Sequence, residues 1–360
     1  MQEIKLTKDW ESRVEEQGIT PPKIFDKWNG KFLTEEAYDQ VVSPTEDTVI
    51  FKPNASLGDD VPLAYVVCDA YPDTKVIDCL KTIEETTKMR ANASGPIDPE
   101  EMKAKGITEY KLRSANSYQV KTKKGKWGMI AYANEIHSVM AGWKRGRFSG
   151  GIEMSGWTKD NPEKFEILKD ISVYNEAAFE KIDPERYNSQ KIFAETSISP
   201  EHRVGIVTTL SMNRYSDLGL GSKGMSVHVD SGDTEAGMTT MCHFRDGEYE
   251  GAYLTFPRYK VAIDAPDNSV IIADSLELHG VTPIRGEGTR YTCVAYCDRR
   301  LATIGQLGKT PKKIGKYSDG ETNEDYVDVK LKAGIRKETP RIPPEEGGPH
   351  PEGGTLEEFL

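Results

Sequence analysis

The second half of the chain alternates between short β-prone runs and turn-forming residues. From about residue 203, seven runs rich in apolar and β-branched residues are separated by Gly, Pro, Asn and Asp. The runs are RVGIVTTLSM, MSVHVD, GMTTMCHF, GAYLTF, YKVAID, SVIIAD and TRYTCVAYC. Closely spaced strands without intervening helices are typical of a sandwich or jelly roll. We therefore predict an α+β protein dominated by β, with a double-stranded β-helix (cupin-like jelly-roll) catalytic core over residues 201–300 and flanking helices.

The first two hundred residues have a more helical pattern. AYVVCDA (64–70) alternates weakly and predicts a strand. Apolar residues at helical spacing predict helices over 76–89, 128–142 and 161–182. The last of these begins with an Asp-Asn cap followed by Pro162, which favours a helix start.

Composition divides the chain into further regions. Residues 1–60 are mixed in character and predict an N-terminal arm with short helices, docked on the rest. Residues 61–200 are interpreted as a mixed helical and basic region that packs on the core. Residues 301–360 predict a polar C-terminal tail, because a stretch such as PRIPPEEGGPHPEGG cannot bury a core.

Composition also restricts the cellular setting. No apolar run reaches the length of a membrane span, and MQEIKLTKDW does not resemble a signal peptide. The five cysteines include no C-x-x-C pair, which argues against a disulfide framework and a cysteine-type zinc site. We predict a soluble intracellular protein without a membrane partner, in the host cytoplasm if viral and in the nucleus if eukaryotic. The pattern does not predict an oligomeric state.

The charge is unevenly distributed along the chain. The total is 47 basic and 58 acidic residues, a net charge of -11, which disfavours non-specific coating of nucleic acid. Between Lys103 and Arg147, however, eleven Lys and Arg face only two Glu, and Trp127 and Trp143 lie among them. Such a stretch suits phosphate contacts and base stacking. It equally suits a solvated face above core aromatic residues, and both interpretations stay open.

The sequence His228-Val229-Asp230 is the first candidate for a metal-binding motif. Residues two apart on a strand point to the same face, so this imidazole and this carboxylate converge. His279 follows another β-prone run, SVIIADSLEL, which a neighbouring strand can bring to the same place. Two His and one carboxylate form the facial triad of non-haem Fe(II) oxygenases and leave open positions for co-substrate and O2. His243 is the main competing histidine, and we interpret it as a structural strand residue.

Arg290 adds a second observation to this motif. It begins the run RYTCV, where it shares a strand face with Thr292 and Val294. A buried Arg among small apolar residues requires an anionic partner, and its planar fork matches a carboxylate. 2-Oxoglutarate fits this requirement, because its keto-acid end chelates iron while its distal carboxylate reaches an Arg.

These residues belong to a longer pattern that resembles a known family. The runs SVHVDSGD, GAYLTFP, HGVTP and TRYTCVAY, together with WTKDNPEKFE and IVTTLSMNRY, resemble the TET/J-binding-protein group of Fe(II)/2-oxoglutarate nucleobase dioxygenases. Phage and algal-virus members are the most similar. The resemblance extends over about 150–300 and is most specific from 205 to 297.

The resemblance implies a site and a reaction. His228, Asp230 and His279 match the iron ligands, and Arg290 matches the residue that binds the distal carboxylate of 2-oxoglutarate. Asp233 falls where the family places a contact to the target base, with a plain turn residue as the alternative. The implied reaction hydroxylates the 5-methyl group of thymine, slightly preferred, or 5-methylcytosine in DNA, with the base flipped out of the duplex. O2 is the co-substrate and ascorbate the expected reductant.

The basic stretch supplies the DNA contacts in this interpretation, through Lys123, Lys124, Trp127 and Arg145. Two alternatives remain open. The first is a 2-oxoglutarate-dependent hydroxylase of a small molecule or a protein side chain, which uses the same four residues and suits the acidic net charge. The second is an inactive module of the same fold that only binds DNA, against which the intact ligand set argues.

Overall fold

The structure is a computed structural model. It describes residues 1–6, 27–53, 60–87, 109–114, 117–121, 127–131, 136–146, 151–217 and 224–307. Lys123, Lys124, part of the basic stretch and the tail from 308 lie outside the described residues. Among the helices it describes, none has both the length and the apolar composition needed to cross a membrane.

Strands dominate the described chain. In chain order they are β1 Gln2–Lys5, β2 Gln40–Val42, β3 Thr48–Lys52, β4 Val61–Val67, β5 Tyr110–Ser114, β6 Ser117–Lys121, β7 Trp127–Ala131, β8 Ile136–Arg145, β9 Ile152–Met154, β10 Thr209–Ser216, β11 Met225–His228, β12 Thr239–Asp246, β13 Tyr249–Gly251, β14 Leu254–Phe256, β15 Val261–Ile263, β16 Ser269–Ala273, β17 His279–Val281, β18 Ile284–Gly286 and β19 Thr289–Tyr296. The helices are α1 Asp73–Thr87, α2 Gly156–Asp160, α3 Pro162–Ile182, α4 Pro184–Ser197 and α5 Arg299–Leu307, with 3-10 turns at Glu35–Ala37 and Pro200–His202.

Two large sheets form the core. The first has the strand order β1-β3-β4-β16-β12-β19-β10-β8-β9, and the second has the order β11-β17-β14-β15-β2. Two smaller sheets pair β13 with β18 and join β5, β6 and β7. Apolar residues of both large sheets pack against each other in one buried cluster. This arrangement confirms the predicted β-dominated jelly-roll core, and strands from before residue 201 extend both sheets.

The helices cover the outer face of the first sheet. Alternate residues of β19, among them Tyr291 and Cys293, point into a cluster that includes Leu168 and Phe179 of α3. Phe244 of β12 is fully buried there, with its ring centroid 5.2 Å from that of Tyr71. Burial of this apolar layer is the main driving force that holds helices and sheet together.

The inner face of the same sheet differs in polarity between its two ends. Register pairing places Val66 beside Ile271 on strands β4 and β16, where the interior is apolar. Further across, Thr292 of β19 pairs with Asn213 of β10, which pairs with Ser138 of β8. Residues that pair directly point to the same side of the sheet. The inner face is therefore apolar at one end, whereas over β19, β10 and β8 it also carries polar side chains.

Most of the predicted elements that fall on described residues are present. The strand expected over 64–70 is β4, and the helices expected over 76–89 and 161–182 are α1 and α3. In the N-terminal region, the helical turn Glu35–Ala37 is present, and the strands described there join the large sheets.

The helix predicted over 128–142 is wrong, because β7 and β8 occupy the described residues of this range, 128–131 and 136–142. Ile136, Val139, Met140 and Trp143 fall at i, i+3, i+4 and i+7, which matches helical spacing by chance. Strand β8 instead pairs with β10 over seven residues and buries Val139 and Trp143 on one face. Long-range pairing overrides the local pattern here.

The packing between sheet and helices gives a stability prediction. Phe244→Ala is expected to lower the free energy of unfolding by about 3–5 kcal/mol, because the cavity left by a buried ring is not refilled. Val173→Ala is the matched control, since Val173 lies on α3 with 61% of its surface exposed. The control is expected to change stability by less than about 0.5 kcal/mol. Urea unfolding curves measure both variants, and equal effects would contradict this description of the core.

Candidate metal centre

Three side chains of the second sheet converge at one point. His228 is the last residue of β11 and His279 is the first residue of β17. The two strands are antiparallel and place these two residues directly opposite each other, with ring centroids 4.5 Å apart. Asp230 follows His228 by two residues and turns its carboxylate toward both rings.

The distances within this group are suited to a bridging ion. The Nε2 atom of His228 lies 3.6 Å from Oδ1 of Asp230, and Nε2 of His279 lies 3.5 Å from Oδ2. The three candidate ligand atoms all lie within 4.8 Å of one another. The two imidazoles are enclosed, whereas the Asp230 side chain is 39% exposed. The group is thus enclosed on the side of the two imidazoles and accessible on the side of Asp230.

Backbone carbonyls fix the orientation of both imidazoles. Nδ1 of His228 donates to the carbonyl of Ser226 at 2.8 Å, and Nδ1 of His279 donates to the carbonyl of Glu277 at 2.9 Å. A proton held on Nδ1 leaves the Nε2 lone pair available. Metal-binding histidines are typically held in this way by an acceptor on the second nitrogen. The donor set therefore fits a divalent transition metal with open positions.

The electrostatics of the three groups are coupled. Burial favours neutral imidazoles and, with the nearby charge of His279, lowers the pKa of His228. Burial acts the same way on His279, but the hydrogen bond and charge of Asp230 outweigh it and raise its pKa. Burial disfavours the Asp230 carboxylate, yet both histidines outweigh that effect and lower its pKa. An ionised Asp230 between two imidazoles is ready to bind a cation.

Arg290 lies on the polar inner face of the first sheet. It is 6% exposed and pairs in register with Tyr215 of β10. Among the described residues its Nε has no hydrogen-bond partner, and its Nη2 lies 3.8 Å from the Met241 sulfur. Burial lowers the pKa of Arg290, while the phenols of Tyr249 and Tyr215 act in the opposite direction. A buried guanidinium in these surroundings is costly without an anionic partner.

Sequence reasoning missed several polar residues on the inner face of the first sheet. Asn213 donates from Nδ2 to Oγ1 of Thr292 at 3.4 Å, and the hydroxyls of Ser138 and Ser211 lie 3.4 Å apart. All four point to the inner face, and Ser138, Ser211 and Asn213 are only half-buried. The signal for Ser211, Asn213 and Thr292 was the polar residue at every second position of LSMNRYS and RYTCV.

His243 is buried outside the three-residue group. Its Nδ1 donates to the carbonyl of Pro266 at 2.9 Å, and its Nε2 lies 3.4 Å from the Tyr249 hydroxyl. Burial and the nearby charge of Arg290 lower the pKa of His243 to about 3. Because His243 is neutral with its proton on Nδ1, its Nε2 accepts a hydrogen bond from the Tyr249 hydroxyl and so orients that phenol.

The remaining predicted contacts lie in different environments. Asp233 is buried, and its Oδ2 accepts hydrogen bonds from Thr239 at 2.5 Å and Ser275 at 2.6 Å. Burial, with the nearby charge of Asp230, raises the pKa of Asp233. Trp127 of β7 is 39% exposed, and Arg145 ends β8 in a half-buried position.

Comparison with known proteins gives similarity in structure only. No family model matches the sequence, and no curated protein matches it. Among solved structures, NgTET1 in complex with 5mC DNA has 13% identity and a TM-score of 0.45, with 81% of this chain and 90% of that chain covered.

Two further solved structures are similar in fold. The prolyl hydroxylase of Trichoplax adhaerens, in complex with a hypoxia inducible factor peptide, has 12% identity and a TM-score of 0.32 over 67% of this chain and 86% of that chain. An oxidoreductase of the 2OG-Fe(II) oxygenase family from Burkholderia pseudomallei has 11% identity and a TM-score of 0.32 over 65% and 84%.

The coupled histidines predict a pH dependence of cation binding. A proton on Nε2 competes with a metal, so affinity falls as the pH decreases. Because Asp230 raises the pKa of His279 above its ordinary 6.5, the loss is expected to begin near neutral pH. Titration with Co(II) from about pH 8 to about pH 6 should show affinity falling by about tenfold per pH unit at the acid end. Affinity that is constant over this range would mean that these imidazoles do not bind the ion.

Proposed function

We propose that this protein is an Fe(II)/2-oxoglutarate-dependent dioxygenase that hydroxylates the 5-methyl group of a pyrimidine base in DNA. The observation that carries the proposal is the combination of two features: the His228, Asp230 and His279 group at the second sheet, and the buried Arg290 on the first sheet, whose Nε has no hydrogen-bond partner among the described residues. Together they would hold a metal ion with open coordination positions and offer a cationic partner to a co-substrate that chelates this ion.

His228, Asp230 and His279 would hold the iron. Imidazole and carboxylate ligands suit Fe(II), and three ligands leave the remaining positions of an octahedron for co-substrates. When bound, the iron supplies the activation of O2 that couples decarboxylation of 2-oxoglutarate to oxidation of the substrate. The protein binds and orients the reactants and keeps water from the buried side, while the exposed edge of Asp230 faces the opening.

Arg290 would bind the distal carboxylate of 2-oxoglutarate. Its guanidinium offers two parallel N–H donors to a carboxylate, and its burial strengthens that interaction relative to water. Tyr215 pairs with Arg290 in register, and the Tyr249 phenol is oriented by His243. We propose that Tyr215, Tyr249 and the hydrogen-bonded neutral pair Asn213 and Thr292 line the binding site of this extended diacid.

The proposal of a DNA base as substrate rests on two observations. The sequence of the core resembles the nucleobase dioxygenases. In addition, the accessible inner face at β8 and β10 presents neutral hydrogen-bonding side chains, Ser138, Ser211 and Asn213. Such groups suit the edge of an uncharged heteroaromatic ring, provided that the base leaves the helical stack. Lys123, Lys124, Trp127 and Arg145 are proposed to contact the DNA strand around it.

Product analysis tests the substrate. Incubation of DNA containing thymine or 5-methylcytosine with Fe(II), ascorbate and 2-oxoglutarate is expected to yield a 5-hydroxymethyl nucleoside, detected by mass spectrometry after digestion. Asp230→Ala should abolish the product, because it removes the charged ligand. Turnover of 2-oxoglutarate with a small molecule or peptide, and no modified base in any DNA, would support the alternative hydroxylase instead.

Substitution of Arg290 tests the co-substrate. Arg290→Met should raise the KM for 2-oxoglutarate by about 10- to 100-fold, since a charged hydrogen-bonded pair contributes about 1.5–3 kcal/mol. Arg186→Met is the matched control, because Arg186 lies on helix α4, outside both large sheets, and contacts Asp183 at 3.8 Å. Equal KM values for the Arg290 variant and the wild type would exclude this residue as the carboxylate partner.

A further inference from the structure

One turn supports two of the three candidate metal ligands. The segment 274–277 connects β16 to β17 and lies against the metal centre. The carbonyl of Ser275 accepts the backbone N–H of Asp230 at 3.0 Å. The carbonyl of Glu277 accepts the Nδ1–H of His279 at 2.9 Å. The position of this turn therefore fixes both the backbone of Asp230 and the ring plane of His279.

The turn has its own internal geometry. The side chain of Asp274 accepts the N–H of Leu276 at 3.2 Å, and its carbonyl accepts the N–H of Glu277 at 3.2 Å. Asp274 is joined to the first sheet by its N–H, which donates to the carbonyl of Leu63 at 3.0 Å. These bonds shape the turn, and its two acidic side chains, Asp274 and Glu277, project to the same side.

Lys52 occupies the space between these two acidic side chains. Its Nζ lies 2.8 Å from Oδ2 of Asp274 and 2.7 Å from Oε1 of Glu277. The Lys52 side chain is 13% exposed, and so is that of Glu277. Burial disfavours the ammonium, but the two carboxylates outweigh it and raise the pKa of Lys52. A charged lysine thus links the first and last residues of the turn to strand β3.

Glu277 is held from a second direction as well. The hydroxyl of Tyr259 donates to Oε1 at 3.1 Å, and Nε of Arg258 lies 3.5 Å from Oε2. The Glu277 side chain, two residues before His279, therefore accepts hydrogen bonds from Lys52 and Tyr259 and forms an ion pair with Arg258. Enclosed ion pairs of this kind have a defined geometry, unlike exposed pairs, whose side chains are free to rearrange.

We infer that Lys52 is a positioning residue for the metal centre, acting through the 274–277 turn. It binds neither metal nor substrate. Its ammonium bridges Asp274 and Glu277 at a fixed separation, which keeps the Glu277 carbonyl aimed at Nδ1 of His279 and the Ser275 carbonyl aimed at the N–H of Asp230. This inference rests on the proposed metal site.

Metal affinity of the full-length protein tests the inference without any substrate. Lys52→Met removes the charge and keeps the length of the side chain. It is expected to weaken Co(II) binding by about 10-fold, the lower end of the effect seen when the outer partners of metal ligands are changed. The visible absorption bands of bound Co(II) should also change, because they report the ligand geometry. Lys75→Met is the matched control, since Lys75 forms a surface ion pair with Asp170 at 2.6 Å. It should bind Co(II) like the wild type.

A double-mutant cycle identifies the route of the effect. Glu277→Gln keeps the backbone carbonyl and removes the acidic partner, so Lys52→Met should have a smaller effect in that background than alone. If Lys52→Met does not fold, Asp274→Asn and Glu277→Gln test the same coupling, each with an expected loss of Co(II) affinity.

The outcomes separate this inference from the proposed function. The role of the turn would be overturned, and the metal site left intact, if the wild-type protein binds Co(II) and all three variants have affinities within twofold of it. These variants are Lys52→Met, Asp274→Asn and Glu277→Gln. Lowered thermal stability of the metal-free variants with unchanged affinity and absorption bands would also overturn it, because Lys52 would then be purely structural. Wild-type protein that binds no metal would overturn both.

Discussion

The antiparallel pairing of β11 with β17 is the constraint on which the rest of the site depends. It sets His228 opposite His279, and Asp230, two residues beyond the end of β11, turns its carboxylate toward both rings. A slip of one residue in this pairing would send the two imidazoles to opposite faces of the sheet. The register is maintained by burial on both sides, with Val227 and Leu278 packed against Trp28 beneath the site.

A second feature of the fold is the uneven inner face of the larger sheet. At β4 and β16 it is apolar and packs against the second sheet, which stabilises the sandwich. At β19, β10 and β8 it carries Arg290, Thr292, Asn213 and Ser138, which contribute little to such packing. A buried guanidinium lowers the stability of the protein unless an anion binds it. The proposed function assigns the polar residues at these positions to a bound molecule rather than to packing.

Much of the site could be predicted from the sequence because its residues stand in or beside recognisable β-prone runs. His228 and Asp230 are two residues apart at the end of one β-prone run, His279 follows another, and Arg290 begins a third. The helix predicted over 128–142 was wrong because Met140, together with Ile136 and Val139, matches helical spacing. Met140 is in fact a half-exposed residue of the inner face, and pairing with the distant strand β10 determines the structure here. Lys52 has no local signal at all, since its partners lie more than two hundred residues away. The predicted base contact of Asp233 and the DNA contacts of Lys123 and Lys124 stay predictions.

The most direct measurement of the central claim is an anaerobic titration of the full-length protein with Fe(II) and then 2-oxoglutarate, followed in the visible range. Addition of 2-oxoglutarate to the iron-loaded protein should produce a weak charge-transfer band that saturates at one molecule per chain. The band should be absent in His279→Ala. A wild-type protein that gives no band at any concentration, or a band that persists unchanged in His279→Ala, would contradict the assignment of this site.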